Sequence, residues 1–291
     1  MSKLIKLEDA VKQIENGMTL GIGGNVLHRT PMAFVTELVR QQKKNLRIVK
    51  TAGGHDVDLL CAGGCVATVD AGFVSYETMY GLAPYYRKAV QEGIVKANEH
   101  ACYTVMSALR AAMAGVSFMP VKGLIHSDLI KVNDYFKIIK DPFTGEDITI
   151  VRAIYPDYAI IHVQECDDQG NSIILGPKYD DVLLSLSSKK VIITTEKIIS
   201  NSKIRLHPEV VDIPSFLVQG IVVVNRGAAP CSCDKLYDID DYTLKTFIKE
   251  SNNANNNANN NVRNIEKYMK KYEFSDRQVA MGVNYYANKN S

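Results

Sequence analysis

MTLGIGGN, residues 18–25, is a short apolar run that ends in a glycine-rich turn. A run of this length that is bounded by glycine is typical of a buried strand. Before it, residues 7–14 carry apolar side chains at helical spacing, and after it Thr30 and Pro31 are the residue types that begin helices. The sequence therefore predicts a helix, a buried strand and a second helix in succession.

The same alternation of apolar runs and helical patterns continues along the chain. It predicts a long helix at residues 99–114 and further strands at residues 46–50, 66–70, 158–164, 191–195 and 221–224. Apolar strands separated by helices indicate an α/β fold, in which an open, largely parallel sheet is flanked by helices on both faces. Ligands of such sheets bind beyond the carboxyl ends of the strands, so we expect the functional site at that edge.

Composition and charge argue against several classes of function. The 291 residues are 46% apolar and 23% charged, and the net charge of +2 is too small to predict binding to nucleic acid or to an anionic membrane. No apolar run approaches the roughly 18 residues that span a bilayer. The polar amino terminus carries no secretion signal. We therefore expect a cytoplasmic protein with a sizeable core.

The six cysteines do not predict a metal site. The pairs Cys61/Cys65 and Cys231/Cys233 lack the two-residue gap usual for zinc ligands, and no pair of histidines accompanies them. In a long chain without a secretion signal the thiols are expected to be reduced. The sequence therefore predicts no bound metal.

Asparagine dominates one segment towards the carboxyl end. Residues 252–261 comprise eight asparagines and two alanines, a composition that cannot bury apolar surface and is typical of disorder. The sequence thus predicts three parts: an α/β domain at residues 1–250, an Asn-rich disordered loop at residues 251–262 and a helical segment at residues 263–291.

Glycine-rich or polar segments follow the first three predicted strands, at the edge where ligands are expected. The candidate binding residues are Gly23, Gly24, Asn25 and Arg29 after the first strand, Gly53 and Gly54 after the second, and Ser75, Tyr76 and Glu77 after the third. Backbone amides of glycine turns can hold carboxylates or phosphates. Arg29 and the adjacent His28 could contribute charge to an acidic substrate. The hydroxyls of Ser75 and Tyr76 could donate hydrogen bonds, and Glu77 could act as a base or nucleophile.

The residues alone also permit a purely structural role for these segments, because tight turns without a ligand and solvated polar loops are common. The turn at residues 21–25 does not complete G-x-G-x-x-G, and the sequence contains neither a Walker A loop nor a G-x-S-x-G nucleophile elbow. His162 lies inside the apolar run 160–163, which is typical of a buried, hydrogen-bonded histidine. The residues alone predict an α/β protein with a carboxylate or phosphate site at a strand edge.

A series of short motifs runs in order through residues 4–250. The series comprises GMTLGIGG (17–24), PMAF (31–34), TAGG (51–54), FMPV (118–121), DYAIIH (157–162), DQGN (168–171), EKIIS (196–200), DIP (212–214), GAAP (227–230) and LYD (236–238). The order and spacing of these motifs resemble the A subunits of family I CoA-transferases, in particular the glutaconate CoA-transferase branch.

This resemblance implies the open α/β fold that CoA-transferases share with sugar-phosphate isomerases, and a B-type partner subunit in an A2B2 heterotetramer. It also implies a ping-pong reaction that moves CoA from an acyl-CoA to a small carboxylic acid, such as a glutaconate-like dicarboxylate or an oxo-acid. The nucleophilic glutamate of the family lies on the B subunit. The resemblance therefore implies no catalytic residue in this chain, no metal, and no cofactor besides CoA, which is a substrate. The candidate residues named above would form substrate walls.

Two short segments bear on the alternatives. Glu15-Asn16-Gly17 mimics the nucleophile motif of the family, but it precedes the first predicted strand and is interpreted as a coincidence. Related A–B pairs that hydrolyse ring-containing acyl-CoAs carry an essential acidic residue early in the long central helix, where this chain has Cys102, with Glu99 one turn away. Hydrolysis, decarboxylation of a glutaconyl-type CoA, and non-catalytic ligand binding on the same fold stay open as alternatives.

Overall fold

The computed structural model describes residues 2–254 and 258–272, which form two β-sheets surrounded by helices. The strands are β1 (Thr19–Ile22), β2 (Leu46–Gly53), β3 (Val66–Val74), β4 (Lys96–Glu99), β5 (Phe118–Val121), β6 (Phe136–Lys140), β7 (Asp147–Arg152), β8 (Tyr158–Cys166), β9 (Ser172–Ile173), β10 (Lys190–Ile198) and β11 (Val218–Val223). The α-helices are α1 (Leu7–Lys12), α2 (Met32–Arg40), α3 (His55–Ala62), α4 (Glu77–Tyr80), α5 (Pro84–Gln91), α6 (Cys102–Met113), α7 (Leu129–Val132), α8 (Asp181–Ser187), α9 (Asn201–Leu206), α10 (Asp241–Ala254) and α11 (Ala258–Lys271). Within these described ranges, no helix is both long enough and apolar enough to cross a bilayer.

The large sheet confirms the predicted α/β fold. Its strands follow the order β11-β10-β8-β1-β2-β3-β4, and every neighbouring pair in that order is parallel. β9 adds a short antiparallel pairing to β8. The predicted strands are all present, whereas the edge strand β4 escapes prediction because its sequence, Lys-Ala-Asn-Glu, is polar.

Neighbouring residues of the central strands enter different cores. Ile160 of β8 and Ile192 of β10 pack with residues of α1, α2, α3, α5, α10 and α11. Ile161 and Ile193, the next residue in each strand, pack with residues of α6 and α8. Successive side chains of a strand point to opposite faces. The sheet is therefore covered on both faces, as the apolar strands predict.

An antiparallel sheet in the order β5-β7-β6 is inserted between α6 and β8. Val121, Phe136 and Val151, one from each strand, are buried in the same core as Val105 and Leu109 of α6. The sequence shows only an irregular segment here because the remaining positions of the short strands are largely exposed or half-buried.

Helices continue into the asparagine-rich segment, where the sequence predicts a disordered loop at residues 251–262. α10 extends to Ala254 and α11 begins at Ala258, whereas residues 255–257 lie outside the described residues. The predicted helical segment at residues 263–291 is helical to Lys271, and residues 273–291 also lie outside the described part of the chain.

Packing of the flanking aromatic residues accounts for the helices at both ends of this segment. Phe247 of α10 and Tyr268 of α11 are buried in the core that contains Ile160. Helical hydrogen bonds run between backbone groups, so they do not require apolar side chains at every position. An asparagine costs a helix at most about 0.7 kcal/mol relative to alanine, which the anchored neighbours offset.

Candidate functional site

Three loops meet at the carboxyl ends of β1, β2 and β3, as the sequence predicts. The amide of Ser75 donates a hydrogen bond to the carbonyl of Gly53 (3.1 Å), which joins the loop after β3 to the end of β2. Gly54 approaches the loop after β1 so closely that a side-chain carbon there would lie 2.7 Å from the carbonyl oxygen of Val26. The structure thus brings together most of the predicted binding residues, namely Gly23, Gly24, Asn25, Gly53, Gly54 and Ser75.

The glycine turn after β1 binds a carboxylate of the chain itself. The amide of Gly24 donates to Asp181 Oδ1 (2.9 Å), and the amide of Gly23 donates to the carbonyl of Ile160 (2.9 Å). A side-chain carbon at Gly23 would lie 2.2 Å from Asp181 Oδ1, so the turn requires glycine there. The turn does hold an anion, as its pattern predicts, but that anion is the side chain of Asp181, which the sequence does not single out.

Arg29 lies inside the molecule, contrary to the expectation that it meets the substrate. Its guanidinium is ion-paired with Asp181 and donates hydrogen bonds to the carbonyls of His162 (2.7 Å) and Pro177 (3.1 Å), and the side chain is 2% exposed. A buried charge requires a partner of opposite sign, because removing it from water is costly. The structure therefore does not support Arg29 as a substrate ligand. His28 is half-buried and hydrogen-bonds Ser232 Oγ through Nδ1 (2.7 Å).

A second buried ion pair fixes the first two loops against each other. Lys50 Nζ donates to Asp56 Oδ2 (2.6 Å) and to the carbonyl of Gly23 (2.9 Å), and both charged side chains are fully buried. Asp56 Oδ1 accepts a hydrogen bond from the amide of Gly54 (2.9 Å). One lysine thus connects the turn after β1 to the start of α3. A signal existed in the sequence, since Lys50 ends an apolar strand and Asp56 follows a glycine pair.

Asp180, beside the glycine turn, is a buried carboxyl in which only one of the two oxygens has a hydrogen-bond partner among the described residues. Its Oδ2 accepts from Thr51 Oγ1 (2.8 Å), whereas its Oδ1 is buried and has no partner among the described residues. An unpaired buried polar atom of this kind costs about 1–3 kcal/mol. Burial, followed by repulsion from Asp181, raises the pKa of Asp180 to about 6. The sequence does not single out Asp180.

Cys102 lies at the first position of α6, next to this carboxyl. Its thiol donates a hydrogen bond to the carbonyl of Thr51 (3.4 Å) and is half-buried. Burial raises the pKa of this thiol, and the negative charge of Asp180 raises it further. A side-chain carbon at Gly72 in β3 would lie 2.4 Å from the Cys102 amide, so the close approach of α6 to the sheet depends on that glycine. Cys102, Thr51 and Asp180 therefore form one connected polar cluster, which we call the Asp180 cluster.

The loop after β3 divides into buried and exposed residues. The Ser75 hydroxyl donates to the carbonyl of Gly81 (3.0 Å) and accepts from the amide of Glu77 (3.0 Å). Tyr76 is fully buried, and its hydroxyl donates to Asp58 Oδ2 (3.1 Å). The expectation that Tyr76 contacts the substrate is therefore not supported, because its ring belongs to the core. Glu77 is exposed and Asn25 is half-exposed, so these two side chains remain accessible at the edge.

The buried hydroxyl of Tyr76 connects this loop to the C-terminal helices. His55 hydrogen-bonds the Tyr76 hydroxyl through Nδ1 (2.8 Å) and the Tyr268 hydroxyl of α11 through Nε2 (2.6 Å). Burial lowers the pKa of His55 to about 3, so this imidazole is neutral at physiological pH. Burial also raises the pKa of Asp58, the acceptor at the far end, to about 7.

A buried network around Glu196 of β10 lies at the same end of the sheet. Its carboxylate accepts hydrogen bonds from His162 Nε2 (3.0 Å), the Tyr237 hydroxyl (2.5 Å), and the amides of Arg226 (2.7 Å) and Gly227 (2.8 Å). Burial alone would raise the pKa of Glu196, but these donors hold that pKa below its usual value. His162 is buried and hydrogen-bonded, as its place in an apolar run predicts.

The same network contains three groups of metal-ligating type. Ligand atoms of His162, Glu196 and Cys233 lie within 4.8 Å of one another. Both ring nitrogens of His162 already have partners, and burial raises the pKa of the Cys233 thiol to about 12. The donor set is thus satisfied by protein hydrogen bonds, which fits a structural network.

Comparison with known proteins identifies the family. The model of the coenzyme A transferase family matches residues 4–224. The chain belongs to this family. The A subunit of glutaconate CoA-transferase from Acidaminococcus fermentans is 32% identical over 268 residues, which cover 86% of this chain and 84% of that protein. An uncharacterized protein of Archaeoglobus fulgidus is 35% identical over 84% of this chain, which spans only 55% of that longer relative.

Two solved structures share the fold of this chain. Glutaconate coenzyme A-transferase of Acidaminococcus fermentans superimposes with a TM-score of 0.86 at 29% identity, over 97% of this chain and 92% of that chain. A cysteine-to-serine variant of the decarboxylase AibA/AibB superimposes with a TM-score of 0.82 at 30% identity, over 93% of this chain and all of the other. The prediction of a glutaconate CoA-transferase-like A subunit is therefore confirmed for family and fold.

The nucleophile-like segment of this coenzyme A transferase chain lies away from the site. Glu15, Asn16 and Gly17 fall between α1 and β1, before the amino end of the first strand. The side chain of Asn16 accepts a hydrogen bond from the amide of Lys44 (2.7 Å), which gives this residue a turn-stabilising role. Since β1 carries the chain from this segment to the glycine turn, the segment and the candidate site are at opposite ends of the strand.

Proposed function

We propose that this chain is the A subunit of a two-chain CoA-transferase, which moves CoA between an acyl-CoA and a small carboxylic acid. The observation that carries the proposal is that the buried charged side chains at the strand edge are paired with each other. Asp181 and Arg29 pair with each other, as do Asp56 and Lys50, so this edge is a rigid wall. The carboxylates of Asp181 and Asp56 are therefore engaged in ion pairs, which favours a reacting group supplied by a second chain.

A ping-pong reaction suits such an arrangement. A glutamate carboxylate of the partner attacks the thioester carbonyl, the CoA thiolate leaves, and a mixed anhydride forms. The thiolate then attacks the glutamyl carbonyl of that anhydride, which releases the first acid and leaves a glutamyl-CoA thioester. The acceptor acid reverses both steps. Splitting the transfer through a covalent intermediate replaces one difficult step by two easier ones. CoA takes part as a substrate, and the scheme needs no further cofactor or metal.

In this proposal the chain contributes no catalytic residue. Asn25, Ser75 and Glu77 at the edge face the acyl and CoA parts of the substrate, and the glycines at positions 24 and 54 permit the close approach of the loops. A B-type partner is implied by relatives that are named as A subunits. We extend this to an A2B2 assembly. A cytoplasmic location remains a prediction from the sequence.

The test is to co-express this chain with a B-type partner and to incubate the complex with glutaryl-CoA and acetate. Acetyl-CoA should form, and borohydride or hydroxylamine should trap a glutamyl thioester on the partner. This chain purified alone should be inactive. Release of free CoA or carbon dioxide without acetyl-CoA would instead assign hydrolysis or decarboxylation.

A variant of this chain tests where the nucleophile lies. Glu77 is the exposed carboxylate of the site loop, so Glu77→Gln should still permit trapping of the thioester on the partner. Glu92→Gln, at an exposed carboxylate after α5, is the matched control. Loss of the trapped thioester in Glu77→Gln, but not in Glu92→Gln, would place the nucleophile in this chain and contradict the proposal.

A further inference from the structure

The Asp180 cluster contains an oxygen atom that the surrounding protein leaves unpaired. Asp180 Oδ1 is buried without a partner among the described residues, although Oδ2 is bonded to Thr51. Buried polar atoms in native structures nearly always have partners, so each exception calls for an explanation. A ligand group that donates a hydrogen bond is one such partner.

The cluster meets the open edge of the sheet at Cys102. The thiol is half-buried and bonds the carbonyl of Thr51, whose side chain bonds Asp180. These three residues come from α6, from β2 and from the residue before α8, and they converge beside the glycine turn. Cys102 is the most exposed of the three residues, whereas Thr51 and Asp180 are buried, so the thiol is the member of the cluster that a substrate group would meet first.

The cations nearest to the cluster are already committed. Arg29 is paired with Asp181, and Lys50 is paired with Asp56, in both cases away from water. A carboxylate brought to the cluster would meet the carboxyl of Asp180 with Asp181 beside it, and no uncommitted cation from Arg29 or Lys50. A hydroxyl group in the same place would donate to Asp180 Oδ1 and complete its hydrogen bonds.

We propose that Cys102, Thr51 and Asp180 line the distal end of the acyl pocket, where Asp180 accepts a hydrogen bond from a hydroxyl group of the substrate and disfavours a second carboxylate. This inference rests on the proposed transfer reaction and specifies its substrate class. It replaces the glutaconate-like dicarboxylate that the family resemblance implies. The raised pKa of Asp180, about 6, is consistent with an acceptor carboxylate at neutral pH that lacks donors until the substrate arrives.

The experiment compares three five-carbon acids as acceptors, with acetyl-CoA as the donor and the complex of this chain with its B-type partner as the enzyme. The acids are 5-hydroxypentanoate, glutarate and pentanoate. We expect kcat/KM for 5-hydroxypentanoate to exceed that for glutarate by about tenfold, because a polar group that leaves a buried partner unpaired or repelled is discriminated against strongly. A preference for glutarate in the wild-type complex would overturn the inference.

Asp180→Asn removes the charge with little change of shape and should reduce the preference for 5-hydroxypentanoate over glutarate about tenfold. Asp128→Asn, at an exposed carboxyl before α7, is the matched control and should retain the wild-type preference. An unchanged preference in Asp180→Asn would contradict the role of Asp180. Cys102→Leu provides a second test, because it should lower kcat/KM for the five-carbon acids about tenfold more than kcat/KM for acetate, which is too short to reach the cluster.

A binding measurement separates this inference from the transfer reaction itself. 5-Hydroxypentanoate should slow the labelling of Cys102 by methyl methanethiosulfonate in the complex, with Cys61, the other half-exposed thiol, as the internal reference. Protection of Cys102 in a complex that transfers no CoA would refute the transferase and retain the pocket. If the acceptor preference of CoA transfer is the same with and without Asp180→Asn, and Cys102 is not protected, the transferase function stands and the proposed pocket is refuted.

Discussion

Glu196 and Asp180 are two buried carboxyls at the same end of the sheet with opposite pKa shifts. Glu196 accepts four hydrogen bonds, and its pKa lies below the usual value. Asp180 accepts one from Thr51, and its pKa rises to about 6. Both side chains are largely shielded from water, so burial alone does not determine the direction of the pKa shift. The hydrogen-bond donors and the neighbouring charge, which is Asp181 beside Asp180, decide which of the two carboxyls is stabilised as an anion.

The largest expected effect on stability comes from removing Glu196, the carboxylate whose hydrogen bonds are satisfied. Glu196→Ala leaves the donors of His162 and Tyr237 and two backbone amides without their acceptor, so we expect the free energy of unfolding to fall by about 3–5 kcal/mol. Urea denaturation at neutral pH measures it. Glu209→Ala, at an exposed glutamate that pairs with His207, should leave the midpoint unchanged. Equal midpoints for the two variants would show that the Glu196 network contributes little.

A second prediction concerns the ion pair under the glycine loops. Lys50→Met leaves the fully buried Asp56 without its partner, and we expect a loss of about 3 kcal/mol in the free energy of unfolding. The double variant Lys50→Met/Asp56→Asn removes both charges and should recover most of that loss. A double variant as unstable as the single one would show that the lysine acts by packing rather than by charge.

A third prediction tests the connection between the site loop and α11. Tyr268→Phe removes the hydroxyl that bonds His55 Nε2 and should lower the free energy of unfolding by about 1 kcal/mol. Tyr242→Phe, at an exposed tyrosine of α10, is the matched control. If both variants unfold at the same urea concentration, the His55 hydrogen bond contributes nothing measurable.

The last expected effect is similar in size to that of Tyr268→Phe but has the opposite sign, and it concerns Asp180. Its pKa in the folded chain, about 6, lies above the usual aspartate value of 3.8. The folded state therefore loses stability as pH rises from about 4 through 6. Asp180→Asn lacks this penalty, so at pH 7.5 it should be more stable than the wild type by about 1 kcal/mol. The difference should vanish near pH 4. A variant that is less stable at pH 7.5 would mean that the carboxylate is stabilised by contacts other than Thr51.

The sequence predicts the strands and loops of the fold better than it predicts the partners of the charged and polar side chains. Apolar runs predict the strands, and the glycine pairs at residues 23–24 and 53–54 predict where the loops meet, because these signals depend on local composition. The partners of the charged residues are set by distant parts of the chain. Arg29 in a polar loop resembles a solvated residue until the fold brings Asp181 to it, and Tyr76 resembles a loop hydroxyl until Asp58 and His55 surround it.

The hairpin of α10 and α11 lies beyond the part of the chain that matches the family model, which ends at Val224. Phe247 and Tyr268 nevertheless fill the same core as Ile160 in the central sheet. The packed core thus extends beyond the residues that the family model matches. Amide hydrogens of α10 near Phe247 should consequently exchange with deuterium on the timescale of the sheet, and not on the faster timescale of a peripheral appendage.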